Sequence, residues 1–123
     1  MSYVDGFLLP IPTKNLPAYR KIARLAAKVW LDHGALDYHE CVGDDLQIPG
    51  MVSFVGAAAA KKGESVVFAY IVYKSRAHRD RVNKLVMADP RLAKFAQQKM
   101  PFDCKRIVCG GFKTLVAPPR RRK

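Results

Sequence analysis

The chain has 123 residues, a mass of 13.8 kDa and apolar side chains at half of its positions. That length suits a single domain with one core and excludes a multidomain assembly, while the apolar content excludes a disordered chain. Lysine and arginine number 22 against 10 aspartates and glutamates, which gives a formal charge of +12 at pH 7.

The chain begins with a predicted strand and a long predicted helix. Aromatic and aliphatic residues favour a strand over residues 3–9, and we expect Pro10 and Pro12 to end it because proline cannot donate to a ladder. Apolar side chains then recur at spacings of three and four, with basic residues between them. This pattern predicts an amphipathic helix over residues 16–33, with Asn15 as its N-cap.

Further strands are predicted in the middle of the chain. Gly34 suits the position just past the helix, and residues 36–42 favour a second strand. The stretch 51–60 fits either a short helix capped by Ser53 or one arm of a hairpin, and the hairpin is the favoured interpretation. Residues 66–73 are the most strand-like in the chain, because β-branched and aromatic side chains predominate there.

The remaining elements complete a recognisable order. Ser75 caps a predicted helix that ends near Asp89, since a proline follows. A short helix over 91–98 and a last strand over 106–116 come next, with Gly110-Gly111 marking a bulge or a close backbone approach. The order strand, helix, strand, strand, helix, strand predicts an α+β, ferredoxin-like βαββαβ subunit, in which helices cover one face of a four-stranded antiparallel sheet.

The strand over residues 66–73 also predicts self-association. Both of its alternating sets of side chains are apolar or aromatic, and two helices can cover only one face of the sheet. A second copy of the same sheet is the simplest cover for the other face. The pattern therefore predicts a homodimer that packs sheet to sheet around a two-fold axis.

The positive charge lies in the second half of the chain. Residues 1–60 carry five basic and six acidic side chains, whereas residues 61–123 carry seventeen basic and four acidic ones. We expect a single domain over 1–117 and a basic disordered tail over 118–123. The basic second helix and the tail make non-specific nucleic-acid binding an alternative function. The helix residues that would carry it are Arg76, Arg79, Arg81 and Lys84.

Several short motifs together resemble the YbaA family of bacterial proteins, whose function is unknown. They are YVDGF at 3–7, HECVGDD at 39–45, VVFAYI at 66–71, MADPR at 87–91, and MPFDCKR followed by GGF within 100–112. The resemblance implies a subunit of the dimeric α/β-barrel superfamily. Relatives in that superfamily include cofactor-independent enzymes that bind a substrate between sheet and helices, so the resemblance also implies a pocket there.

Carboxylates near such a pocket are the candidate catalytic groups, because a carboxyl beside an apolar cavity can act as a general acid or base. Glu40, Asp45 and Asp103 are the candidates. Their alternative roles are structural, in turns and surface ion pairs. The candidate ligand-binding residues are Tyr3, Asp5, Phe7, Tyr70 and Arg106.

No cofactor or metal is expected. The three histidines share no ligand spacing, and the three cysteines form no CxxC motif, which favours reduced thiols. The N-terminus lacks the basic region of a signal peptide and no stretch is long enough to cross a membrane, so we expect a cytoplasmic protein with no membrane partner. The favoured function is binding or cofactor-independent catalysis of a small molecule, with a nucleic-acid-binding module and a purely structural dimer as alternatives.

Overall fold

The computed structural model describes residues 2–119 of the chain. Its elements in order are strand β1 (Tyr3–Pro12), helix α1 (Leu16–Asp32), strand β2 (Asp37–Val42), helix α2 (Phe54–Ala57), strand β3 (Glu64–Tyr73), helix α3 (Arg76–Met87), helix α4 (Pro90–Ala96) and strand β4 (Val108–Lys113). Single turns of 3-10 helix precede α1 and β4. The predicted basic tail extends to residues 120–123, which lie outside the described residues.

The four strands form one antiparallel sheet of order β2-β3-β1-β4. Tyr3 pairs with Tyr73, and the register continues without interruption to Pro12 opposite Glu64. Odd-numbered residues of the two central strands therefore share one face of the sheet. The predicted α+β, ferredoxin-like architecture is confirmed.

The core lies between that odd-numbered face and the helices. Tyr73 of β3, Val29 of α1 and Val82 of α3 belong to one buried cluster. Leu9 and Ile11 of β1 belong to a second cluster, near the start of α1. The apolar face of α1 thus packs on the sheet and leaves its basic residues in solvent. Among residues 2–119, no helix is long and apolar enough to cross a membrane.

The even-numbered face of the central strands carries large apolar side chains that α1, α3 and α4 do not cover. Phe68 is 44% exposed, Val108 53% and Phe112 61%. Only one end of this face is shielded, where Phe54 of α2 lies 6.3 Å from Phe68 between ring centroids. This surface is called the open sheet face below.

Strand β1 is longer than its sequence predicts, because Pro10 and Pro12 do not end it. Both prolines stay paired with β3, opposite Val66 and Glu64. Pairing with β4 stops at Leu8, so beyond that residue β1 is an edge strand on its β4 side. Proline is tolerated at such an edge, since no ladder hydrogen bond is lost there.

One local prediction in the first half holds in position only, and another is wrong. Asn15 lies at the N-cap of α1 as predicted, but its side chain does not cap the helix; its amide donates instead to the Pro101 carbonyl at 2.8 Å. The favoured hairpin arm at 51–60 is a short helix, because the Ser53 hydroxyl accepts the Val55 N–H at 3.0 Å as an N-cap does.

The caps predicted further along are confirmed. Ser75 accepts the His78 N–H at 3.1 Å at the start of α3. Asp89 accepts the Arg91 N–H at 2.8 Å, and its other oxygen lies 2.8 Å from Nε2 of His33. Hydrogen bonds from Arg91 hold the pKa of Asp89 well below its usual range. This carboxylate therefore ties α4 to the end of α1.

Strand β4 is shorter than predicted, and its glycine pair makes a close approach without a bulge. The register with β1 is continuous from Val108 to Lys113. A Cβ atom added at Gly111 would lie 2.8 Å from Cε2 of the buried Tyr3 ring and closer still to its hydroxyl. At Gly110 it would meet nothing within 4 Å. Of this pair, only Gly111 needs to be glycine for steric reasons.

Gly111→Ala is expected to lower the free energy of unfolding by about 1–3 kcal/mol, the usual cost of overpacking a filled site. Gly110→Ala is the matched control, since it adds the same methyl group to open space on the same strand. Urea denaturation of both variants measures the difference. Equal losses in the two variants would contradict the steric argument.

Candidate functional site

A cavity of about 420 Å³ lies between the helices and the odd-numbered face of the sheet. Phe7 and Ile71 line it from the sheet, and Trp30 lines it from α1. Alanines at three facing positions leave the space open. They are Ala23, Ala26 and Ala69.

One polar group in the cavity is the ion pair of Asp5 with Arg79. Asp5 is only 5% exposed, and its Oδ1 accepts a hydrogen bond from Nη1 of Arg79 at 2.9 Å. The guanidinium also donates from Nε to Asp80 at 2.8 Å and lies 5.1 Å above the ring of Tyr3. Burial raises the pKa of Asp5, and the nearby Arg79 charge opposes that rise.

Asn83 of α3 connects this pair to the rest of the cavity wall. Its Oδ1 accepts hydrogen bonds from Nε1 of Trp30 at 3.1 Å and from the hydroxyl of Tyr73 at 3.2 Å. Both donors are on elements that pack against α3. The amide therefore fixes the orientation of two large rings around the cavity.

The second polar group is Glu40 of β2, whose carboxylate is held by two tyrosines. The hydroxyl of Tyr19 donates to Oε1, and that of Tyr38 donates to Oε2 at 2.7 Å. Burial and the hydrogen bonds to Glu40 raise the pKa of both tyrosines, so they stay protonated donors at neutral pH. Glu40 is thus presented to the cavity as an oriented acceptor.

The cavity opens to solvent between α3 and β4. Met87 and Cys109 both line it, and both are exposed. Strand β4 presents small residues here, since Gly110 follows Cys109 and also lines the cavity. A ligand can therefore reach the interior without unfolding the sheet.

The structure brings some predicted ligand-binding residues together and separates others. Asp5 and Phe7 line the cavity, and Tyr3 lies beneath Arg79 beside it. Tyr70 lies on the open sheet face, where its ring stacks on His39 with centroids 5.0 Å apart. An even-numbered residue of β3 cannot face the same side as Asp5.

Arg106 also lies away from the cavity. Its guanidinium donates to both carboxylate oxygens of Glu64, at 2.6 and 2.9 Å, and to the Ala59 carbonyl at 2.7 Å. These hydrogen bonds lower the pKa of Glu64 to about 2. These hydrogen bonds from Arg106 therefore hold the start of β3 against the loop before it.

The three candidate catalytic carboxylates have different surroundings. Glu40 lines the cavity, whereas Asp45 is exposed in the loop after β2. Asp103 accepts the Lys105 N–H at 3.0 Å and caps the turn before β4. Of the three, only Glu40 is placed to act on a ligand in the cavity.

Two of the polar cavity residues, Tyr38 and Asn83, are not identified from the sequence, and a third, Arg79, is assigned from it to another function. Tyr38 could have been found, because it shares a strand face with Glu40 two residues away. Nothing local marked Asn83. Arg79 was grouped with the basic residues of α3, yet it turns inward while Arg76 and Arg81 remain exposed. Lys84, the fourth member of that basic group, is also exposed.

A four-stranded antiparallel sheet of this order, with helices on one face and a cavity beneath them, defines an α+β protein of the ferredoxin-like fold. The chain belongs to the family described as "Protein of unknown function (DUF1428)", which matches residues 2–104.

Sequence relatives agree with this assignment. The "Uncharacterized protein YbaA" of Escherichia coli (strain K12) is 40% identical over 116 residues, which cover 94% of this chain and 98% of that protein. The same values hold for the protein of that name from Shigella flexneri. The resemblance to the YbaA family inferred from the motifs is therefore confirmed.

A solved structure shares the fold at low sequence identity. Rv0793 from Mycobacterium tuberculosis superimposes with a TM-score of 0.60 at 12% identity. The match covers 97% of this chain and 100% of that one. At this identity the similarity concerns the fold alone.

The surroundings of Asp5 predict an abnormal titration. Its carboxyl carbon, followed by NMR, is expected to titrate above pH 3.8, because burial disfavours the charged form. Arg79→Gln should raise the midpoint further, whereas Asp80→Asn should lower it slightly. A midpoint below 3.8 in the wild-type protein would contradict this description.

The same shift has a consequence for stability. The folded chain holds the Asp5 proton more tightly than the unfolded chain does. The contribution of this group to the free energy of unfolding is therefore fully present below pH 3.8. That contribution is lost as pH rises through the folded-state pKa. Asp5→Asn should therefore flatten the dependence of the unfolding free energy on pH in that window.

Proposed function

We propose that this protein binds a small organic molecule in the cavity between sheet and helices. The observation that carries the proposal is the lining of the cavity, where mostly apolar side chains surround two oriented carboxylates, Asp5 and Glu40. Sites for small molecules have this character: an apolar enclosure supplies affinity and a few fixed polar groups supply orientation. The volume of about 420 Å³ falls within the range of such sites.

The two carboxylates support binding because hydrogen bonds from neighbouring side chains hold them in fixed orientations. Asp5 is held by Arg79, and Glu40 is held by Tyr19 and Tyr38. A carboxylate oxygen can accept more than one hydrogen bond, so these two oriented carboxylates beside an open space favour a ligand with hydrogen-bond donors.

Filling the cavity should abolish binding without harming the fold. Ala23→Leu places a larger side chain in the cavity, so affinity for neutral probes such as 1-octanol and 2-naphthol is expected to fall more than tenfold. Isothermal titration calorimetry measures the affinity, and Ala18→Leu, exposed on the same helix, is the control. The proposal is wrong if a panel of neutral aromatic and aliphatic alcohols shows no binding to the wild-type protein, or if both variants bind equally.

A second candidate function is catalysis of proton transfer without a bound cofactor. It is favoured by Glu40, whose two oxygens are oriented by hydroxyl donors at the cavity wall. In such a reaction the carboxylate takes a proton from the ligand and returns one to it. Exchange of ligand protons with deuterated water, followed by NMR, should then stop in Glu40→Gln while binding persists.

We also propose that the protein is a homodimer that packs through the open sheet face. Phe68 of β3 and Val108 and Phe112 of β4 lie on this face and are 44% to 61% exposed. A stable interface buries roughly 800 Å² on each partner, and contiguous apolar surface of that order is rarely left in water. A second copy would cover it symmetrically.

Charges on the open sheet face should separate the subunits. Phe68→Lys together with Phe112→Lys is expected to convert a species of twice 13.8 kDa into one of 13.8 kDa by light scattering. Leu85→Lys, about equally exposed but on α3, is the control and should keep the larger mass. A wild-type mass of 13.8 kDa at micromolar concentration would exclude the dimer.

A further inference from the structure

A second cavity of about 560 Å³ lies on the outer side of α1, between that helix and strand β2. Its apolar lining comes from both elements and from the neighbouring strand β3. The apolar residues are Leu16, Pro17, Ala23, Val42 and Val67. This space is called the outer groove, and the cavity described above is called the inner cavity.

The outer groove and the inner cavity share part of their walls. Tyr19, Ala23 and Glu40 line both spaces. The hydrogen bond from the Tyr19 hydroxyl to Glu40 therefore lies at the partition between them. Ala23 adds little bulk to that partition, so the two spaces join when the Tyr19 ring is displaced, which breaks its hydrogen bond to Glu40 and its edge contact with Phe102.

The outer groove differs from the inner cavity in charge. Arg20, Lys21 and Arg24 line it, and none of them forms an ion pair within residues 2–119. By contrast, Lys28 on the same helix lies 3.4 Å from Asp32. Against these three cations the lining of the groove holds one carboxylate, that of Glu40, so the net potential is positive and attracts an anionic group.

We propose that the outer groove and the inner cavity form one binding site for an amphiphilic anion. This inference rests on the proposed function and names its ligand class. The apolar part of the ligand lies in the inner cavity, past the partition of Tyr19 and Glu40. Its carboxylate or phosphate group lies in the outer groove, where Arg20 and Arg24 donate hydrogen bonds to it.

The ligand class is tested with four probes of equal chain length: octyl phosphate, octanoate, 1-octanol and octylamine. Titration calorimetry of the full chain is expected to give the highest affinity for one of the two anions, and their ranking distinguishes a phosphate from a carboxylate ligand. Octylamine should bind more weakly than 1-octanol. Raising the salt concentration should weaken only the anions, because exposed charges are screened.

Two pairs of substitutions locate the charged group. Arg20→Gln with Arg24→Gln is expected to weaken octyl phosphate binding roughly three- to tenfold, as the loss of two partly exposed ion pairs does, and to leave 1-octanol unchanged. Arg81→Gln with Lys84→Gln removes the same charge from α3 and is the matched control, since neither residue lines the groove. Both pairs change only exposed side chains, so the fold should persist.

The position of the alkyl chain is tested separately. Intermolecular NOEs from the terminal methyl of octyl phosphate should reach Ile71 in the inner cavity. NOEs confined to Leu16 and Val42 would place the whole ligand in the outer groove and overturn the inference. Equal binding of 1-octanol and the anions would also overturn it while leaving the proposed function intact. Absence of binding by all four probes would count against both proposals.

Discussion

Strand β3 carries apolar side chains on both of its faces, and it pairs with β1 on one side and β2 on the other. A central strand of this kind cannot leave either face in water without cost, because each large apolar side chain contributes about 1.5–3 kcal/mol when fully buried. Helices α1 and α3 cover the face of Ile71 and Tyr73. The face of Phe68 is not covered by these helices. The alternation of side chains along β3 therefore gives the sheet one face that packs against helices and one open sheet face.

The helical side is not filled completely, and that incompleteness has a physical cause. Alanines at positions 23, 26 and 69 face one another where larger aliphatic residues would close the space. Cores are normally packed to crystal-like density, and side chains that border an open space lose packing contacts. Asp5 and Glu40 beside this space add a further cost, since each must be compensated by donors. Both costs to stability therefore fall at the same place in the fold, which is the place where we propose that a ligand binds.

The sequence predicted the elements well where one local rule decided the outcome, and poorly where two rules competed. Helix α1 followed from apolar spacing alone, and the caps at Ser75 and Asp89 followed from short-range hydrogen bonding. The proline rule predicts too short a β1, because the sequence does not show that β4 ends before Pro10. The segment around Ser53 is ambiguous, because its alanines and glycine fit a short helix and a hairpin arm about equally well.

The candidate site shows the same limit. Alternation along a strand states which residues share a face, and it correctly groups Asp5 with Phe7. It does not relate one strand to another, and Tyr70 was grouped with Asp5 because the pairing register was unknown. Arg79 was invisible as a cavity residue for a similar reason: its partner lies 74 positions away, on a different element. A contact between residues so far apart in the chain can be identified only from the three-dimensional arrangement of the strands and helices.

The structure divides the cations behind the charge of +12 into those that are paired with carboxylates and those that are not. Cations that meet a carboxylate, such as Arg79, Arg91 and Arg106, are used in the fold, and their field is largely cancelled at close range. The three cations of the outer groove form no ion pair within residues 2–119 and outnumber the one carboxylate, Glu40, that lines the same groove. A positive groove raises the local concentration of anions but cannot hold an apolar group, whereas an apolar cavity does the reverse. Tyr19, Ala23 and Glu40 line both spaces, so a ligand that displaced the Tyr19 ring would combine the two interactions and bind more tightly than a ligand with either character alone.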